Sequence, residues 1–479
     1  MERGLDFAHA GQLDKAETEL RQAAKLGPGN PEVWNTLGTV LAMQNKLGES
    51  SEAFRRVLKI DANDLIARRY LAANLWQLHL YPEAKANLLI ILKSQPEDKD
   101  AKFLLGMVAE NMGDYATAVR MLASVPEEVR KRPESIAALA RSFYHLDQKE
   151  KARAALAQLF TLSAGPQAVF LGAQIADEMQ DFETARNLLT SIRTTFPDHL
   201  KLDYTRALVE YHDGQFAQSQ NILQDLLASG NNTAAVLNLR AWCDHKQGRK
   251  TEAVEGLEEA IKLAPQEDSN YFDLIKILLE QHSLPHALQV AHRTTTAFAN
   301  SAPAFEWQGS VEMAMSQFTD AIHSYTQARK LDSSRPDGLL GLAEAQSGAG
   351  MNKESRANFE SGVTKFPKDT RFKVLYADLL LKQSESGDAL AGSRAEQLLR
   401  SALTLDPSLP DAHYQLGNLA LKQDRMAEAQ QHLEQVAKLD SSNAQGHFAL
   451  SRVYRRLGRK EDAAREMKLY EELKGGDSR

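Results

Sequence analysis

The sequence predicts an all-α solenoid. Three observations predict it: a small residue at one site in every 34, helical spacing of apolar residues within each period, and prolines confined to the junctions. The small-residue series is Ala16, Ser50, Ala84, Ala118, Ala152, Ala185, Ser219, Ala253, Ala287, Ala321, Ser355, Ala395, Ala429 and Ala463. A fixed period of this length marks a stack of supersecondary units, each packed on its neighbours.

The repeats begin at Pro31, Leu65, Lys99, Pro133, Pro166, Leu200, Ala234, Asp268, Ala302, Pro336, Thr370, Pro410 and Ala444. Position 8 is then small in every unit except at Ile275, and position 24 is bulky in every unit except at Ala291. Small residues at 8 and 20 let two helices approach, and a large one at 24 fills the space beside them. Apolar residues recur at positions 4, 7, 8 and 11, then at 17, 20, 24 and 27, which are two runs of helical spacing. Glycines near position 15 (Gly113, Gly214, Gly248, Gly350, Gly458) separate them. Each unit is therefore predicted as helix, tight turn, helix.

Prolines agree. Pro28, Pro96, Pro197, Pro265, Pro367 and Pro407 fall at position 32; Pro31, Pro133, Pro166, Pro336 and Pro410 fall at position 1. Proline suits a helix start, where its missing N–H has no intrahelical partner. Pro126 alone falls inside a helix, predicting a shortened second helix and an irregular connection over Val125–Pro133. The step from Thr370 to Pro410 carries six extra residues, expected as a Gly- and Ser-rich loop near Glu385–Ser393.

This pattern resembles the tetratricopeptide-repeat (TPR) family, whose signature is W-x2-L-G-x2-Y…A-x3-F…P. Trp34, Leu37, Gly38, Leu41, Ser50 and Phe54 match it, and His447, Leu450, Ser451, Tyr454, Ala463 and Met467 match it more loosely. The resemblance covers essentially the whole chain as one solenoid: a truncated first repeat (1–30), repeats over 31–443, and a terminal repeat, capping helix and tail (444–479). It implies a right-handed superhelix whose concave face, lined by first helices, binds peptides or proteins.

Composition excludes several classes. The 57 basic and 64 acidic residues give a net charge of −7, which leaves no nucleic-acid footprint. No stretch is apolar enough for a membrane span. Cys243 is the single cysteine and reads as a small buried side chain beside Trp242. Phosphate-loop, dinucleotide, zincin and C-x-x-C motifs are absent. His282 and His286 are four apart, but Pro285 starts a new helix between them, so no shared metal face results. No catalytic residue, cofactor or metal is expected.

Gly4 and Phe7 match positions 8 and 11, so the first unit lacks the start of its first helix. As it stands the chain reads as cytoplasmic; with an N-terminal signal removed it reads as periplasmic. The polar helix Lys460–Lys474 is expected to cap the far end.

In the family, groove contacts come from first-helix positions 2, 5, 6, 9, 12 and 13. The candidates so placed are Phe103, Phe170, Tyr204 and Phe272 at position 5, and Trp76, Tyr144, Tyr211, Trp242 and Trp307 at positions 12, 12, 12, 9 and 6. Trp34, at position 4, is expected in the core. Lys382, Lys422, Arg452, Arg455 and Arg456 make the C-terminal groove basic, suiting an acidic segment, whereas Glu110, Asp177 and Glu178 make the first half acidic. The Lys/Asn clamp that some members use for acidic chaperone termini is absent. So is an asparagine ladder like that of the O-GlcNAc glycosyltransferase. The expected function is a non-enzymatic scaffold or adaptor for protein partners. The alternative is the substrate-docking or assembly arm of an enzyme or export machine.

Overall fold

The computed structural model describes residues 1–161, 165–385 and 389–476. Among them are 29 helices and no strand. The chain divides into two compact units, Met1–Asn232 and Thr233–Arg479.

Unit 1 holds α1 (Glu2–His9), α2 (Leu13–Leu26), α3 (Pro31–Met43), α4 (Leu47–Ile60), α5 (Leu65–Gln77), α6 (Tyr81–Ser94), α7 (Lys99–Asn111), α8 (Tyr115–Ala123), α9 (Pro126–Arg130), α10 (Pro133–His145), α11 (Lys149–Thr161), α12 (Pro166–Glu178), α13 (Phe182–Ser191), α14 (His199–His212) and α15 (Phe216–Ala228). Unit 2 holds α16 (Ala234–Lys246), α17 (Lys250–Leu263), α18 (Asp268–Glu280), α19 (Leu284–Ala297), α20 (Ala302–Ala314), α21 (Phe318–Leu331), α22 (Pro336–Gly348), α23 (Asn352–Lys365), α24 (Thr370–Glu385), α25 (Ala389–Leu405), α26 (Pro410–Lys422), α27 (Met426–Leu439), α28 (Ala444–Arg456) and α29 (Lys460–Gly476). Twelve of the thirteen first helices start on the residue that the period assigns; α14 starts one earlier, at His199.

The helix pairs close on the small columns. Thirteen of the fourteen Ala or Ser residues of the 34-residue series are fully buried, and Ala463 nearly so. Where serine stands there, its hydroxyl is used: Ser50, Ser219 and Ser355 each donate to the position-8 carbonyl of their own repeat, Gly38, Ala207 and Ala343, at 2.7 Å. Position 8 faces position 24 across this crossing. A Cβ on Gly38 would lie 2.9 Å from the Phe54 ring, and one on Gly106 2.6 Å from Leu122. The two exceptions, Ile275 and Ala291, fall in one repeat and are both fully buried. Large and small have changed places there, so the filled volume is kept.

Turns between paired helices are uniform. Position 15 has positive φ in every repeat except that of α24 and α25. Glycine serves at six of these sites, but Asn45, His79, Asp147, Gln180, His282, Ser316 and Asp424 also adopt it, with φ from 56° to 61°. A side chain there carries a steric cost that glycine escapes. Ser316→Gly is expected to raise stability by up to about 1 kcal/mol, read as a higher denaturation midpoint. An unchanged or lower midpoint would show that the Ser316 side chain makes compensating contacts.

Three expectations are corrected. Position 4 is not simply apolar core. Trp34 is only half-buried, and its indole N–H donates to the Pro28 carbonyl at 2.9 Å. Arg68, Tyr271, Lys373, His413 and His447 approach the carbonyl six residues back in the same way. Each such carbonyl is at position 32, at the exit of the preceding helix, so six of the thirteen repeats place a donor of that reach in the column, while Ile136, Val169, Leu237 and Leu339 fill it as buried apolar residues. The six extra residues do not form a loop at 389–393. They lengthen the pair, α24 to 16 residues and α25 to 17. Ala391, buried at 2% exposure, carries the apolar stripe one turn further back and offsets the cost of Gly392. Residues 386–388 lie outside the described residues. Pro126 does shorten α8, to nine residues, but the connection contains a short helix, α9, whose Val129 is buried.

Candidate functional site

First helices of successive repeats lie side by side, as α5 with α7 and α7 with α10 do in unit 1. Their exposed rows form a cleft of about 540 Å³. From α5 come Ile66, Arg69, Tyr70, Ala73, Trp76 and Gln77; from α7 come Asp100, Phe103, Leu104 and Met107; Arg132 and Glu134 close it at the start of α10. The α5 residues occupy positions 2, 5, 6, 9, 12 and 13, the columns that the family resemblance implies for ligand contact. Asp64 and Asp98 fix the frame by capping α5 and α7, accepting from Ala67 N at 2.8 Å and Ala101 N at 2.9 Å.

The cleft is apolar where it is open. Ile66 is 64% exposed and Tyr70 48% exposed, and half-buried Trp76 stands beside them. Phe103 is buried, with the Arg132 guanidinium 4.5 Å from its ring centroid. Arg69 is paired with Asp98 and, at 3.5 Å, with Asp100. Charges thus rim an apolar surface that the chain leaves uncovered.

Of the candidate aromatics, Trp76 and Phe103 line this cleft. Ile66, Tyr70 and Met107 were missed, although positions 2, 6 and 9 of their helices marked them. Tyr144, half-buried, has its hydroxyl engaged within the chain. Its hydroxyl donates to Asp181 at 2.9 Å, and burial and that carboxylate raise its pKa. Asp181 also accepts from Arg153 at 2.8 and 2.9 Å. Burial opposes its ionisation, but the bonds from Arg153, Tyr144 and Thr184 prevail and lower its pKa to about 2. Phe170 is buried, stacked on Phe196 at 4.6 Å with the Lys201 ammonium 5.2 Å from its centroid. It is a packing residue.

Tyr204 and Tyr211 are half-buried, and Tyr211 packs against Phe216 at 5.5 Å. Phe272 and Trp307 stack with centroids 6.3 Å apart. Trp242 has the Lys246 and Lys276 ammoniums over its ring at 5.7 and 5.1 Å. All four tryptophans are half-buried, so exposure does not set Trp34 apart from the rest. Cys243 is fully buried.

The acidic first half is internally paired. Arg141 reaches Glu110 at 2.7 Å and Glu178 at 3.9 Å, and His212 lies 2.9 Å from Asp177. Among the basic candidates, Lys382 pairs with Asp378 at 2.7 Å, and Arg456 donates to the Leu421 carbonyl at 3.2 Å. Lys422, Arg452 and Arg455 are exposed on neighbouring α26 and α28. His282 sits in the turn before α19, and the described residues contain no group of three or more potential metal ligands. No helix among them is long and apolar enough to cross a membrane.

Three tetratricopeptide-repeat family models match, over residues 71–133 and 414–478, over 7–75 and 178–243, and over 234–267. The peroxisomal targeting signal receptor of Candida glabrata is 32% identical over 89 residues, 19% of this chain and 15% of that protein. The chloroplastic tetratricopeptide repeat domain-containing protein PYG7 of Arabidopsis thaliana is 34% identical over 65 residues, 14% of this chain and 22% of that protein. The chain therefore matches less than a quarter of the length of these relatives. Solved structures with similar architecture include yeast Tom70 (TM-score 0.46, 15% identity, 85% of this chain and 91% of that one). Naa15/Naa10 bound to HypK-THB is also similar (TM-score 0.42, 13% identity, 99% of each chain). With the 34-residue period, the helix pairs and the family-model matches in hand, the chain belongs to the tetratricopeptide-repeat family of protein–protein interaction scaffolds.

Proposed function

We propose that this chain is a non-enzymatic adaptor that holds a partner segment by apolar anchors in the cleft across α5, α7 and α10. One observation carries the reading: Ile66, 64% exposed, and Tyr70, whose ring stacks on buried Phe54 at 5.4 Å yet stays 48% exposed, stand open beside Trp76. Burying such side chains in a partner is what gives protein interfaces their strong points. The charged rim of Arg69, Asp100, Arg132 and Glu134 fits the polar surround of such a patch. A targeting-signal receptor among the matched relatives supports a polypeptide ligand.

The test is a peptide selection against the intact chain, followed by affinity measurement with Ile66→Ser/Tyr70→Ser. The double variant should lose at least about tenfold in affinity, since a buried anchor contributes ~2 kcal/mol or more; because Tyr70 also stacks on Phe54, the unchanged melting temperature is expected of Ile66→Ser alone, which should lose affinity too. Selected peptides that bind the variant equally well would refute the assignment.

A further inference from the structure

A second cleft, of about 460 Å³, lies in unit 2 along first helices α20, α22 and α24. We infer that it receives a basic side chain, a lysine or arginine of a partner polypeptide; that the partner is a polypeptide rests on the adaptor reading above.

The reason is Glu344. It is at position 9 of α22, half-buried, and faces this cleft. Among the described residues it accepts no hydrogen bond and has no ion-pair partner. Two more deeply buried carboxylates on the neighbouring α20 are satisfied within the chain. Glu306 is paired with Arg335 at 2.7 Å, and Glu312 accepts from Ser324 and Gln308 at 2.7 Å each. A shielded carboxylate without a partner is costly, and the cost disappears when a cation arrives. Burial accordingly raises the pKa of Glu344, with only the Arg371 charge acting the other way.

The rest of the cleft selects the shape of that cation. Met313, Phe359, Leu375 and Leu379 give it an apolar wall, which suits the methylene stem of a lysine or arginine. Asp378, at the equivalent position one repeat on, adds a second carboxylate, already held by Lys382 at 2.7 Å. Lys382 is engaged by Asp378, and Arg371 acts on Glu344 only through space, so no cation of the lining pairs directly with Glu344. A neutral apolar anchor would shield Glu344 further without compensating it, so the wall alone does not define the ligand.

The experiment uses the intact chain and two labelled, end-blocked peptides, Gly-Leu-Lys-Leu-Gly and its norleucine counterpart, read by fluorescence anisotropy. The lysine peptide should bind about tenfold tighter, the scale of one charge-assisted hydrogen bond. Glu344→Gln should abolish that preference while melting at or above the wild-type temperature. Equal binding of the two peptides, a preference that survives in Glu344→Gln, or a lowered melting temperature for that variant each overturns the inference. So does a change in sedimentation of Glu344→Gln without any lysine preference, which would assign the cleft to a second copy of the chain. Ile66→Ser/Tyr70→Ser should keep the lysine preference, so a failure of the unit 1 reading is told apart from a failure of this one.

Discussion

Replacing Asp181 with Asn will destabilise unit 1 by about 2–3 kcal/mol at neutral pH. The carboxylate is 1% exposed and accepts three hydrogen bonds from Tyr144 and Arg153. Asn keeps the shape but supplies one acceptor oxygen and no charge. Arg153 then loses its main partner, although it keeps weaker contacts with Glu150 at 3.4 Å and Glu183 at 3.9 Å. Its side chain is also 33% exposed, so water limits the loss.

The same substitution has a pH signature. The folded pKa of Asp181, about 2, lies below its ordinary 3.8. Unfolded chains therefore bind its proton first as pH falls. The stabilisation is present above pH ~4 and disappears between about pH 4 and pH 2. Denaturant midpoints of wild type and Asp181→Asn should differ most at pH 7 and converge toward pH 2. A constant difference across that range would show that the carboxylate's charge is not what holds Tyr144 and Arg153.

The second large effect is expected at the one inverted repeat. Ile275→Ala will cost about 2–5 kcal/mol, because a fully buried branched side chain leaves a cavity. Ala291→Leu alone will cost about 1–3 kcal/mol by overpacking against Ile275. Together they restore the small-at-8, large-at-24 pattern of the other full repeats. The double variant should thus recover at least about 1 kcal/mol relative to the sum of the singles. Additive costs in denaturant melts would mean that positions 8 and 24 do not share one volume in this repeat.

The period determined the repeat register directly, because each column repeats one packing environment many times. A side chain at position 8, 20 or 24 meets the same neighbours in every unit, so size alone identifies it. Pro31, Pro133 and Pro336 then placed helix starts to the residue. The groove columns followed from the register, which is why the candidates Trp76 and Phe103 fall on the cleft. Ile66 and Tyr70 were passed over because apolar character in a repeat normally signals packing, and their openness depends on how α5 sits beside α7.

What the sequence by itself determined was the all-α repeat architecture, its register and its pairing of small with large columns. Tertiary structure decided what each polar residue does. Trp34, Lys373 and His413 look unrelated in sequence, yet each donates to the carbonyl at the preceding helix exit. Tyr144 was drawn into a network with Asp181, while Glu344, at an equally ordinary position, was left facing a cleft. The physical reason is range: apolar size is read locally along one helix, but a hydrogen bond or an ion pair needs its partner. That partner lies across a helix junction, as the Pro28 carbonyl does for Trp34, or a repeat away, as Asp181 does for Tyr144, at a distance which only the packed helices set.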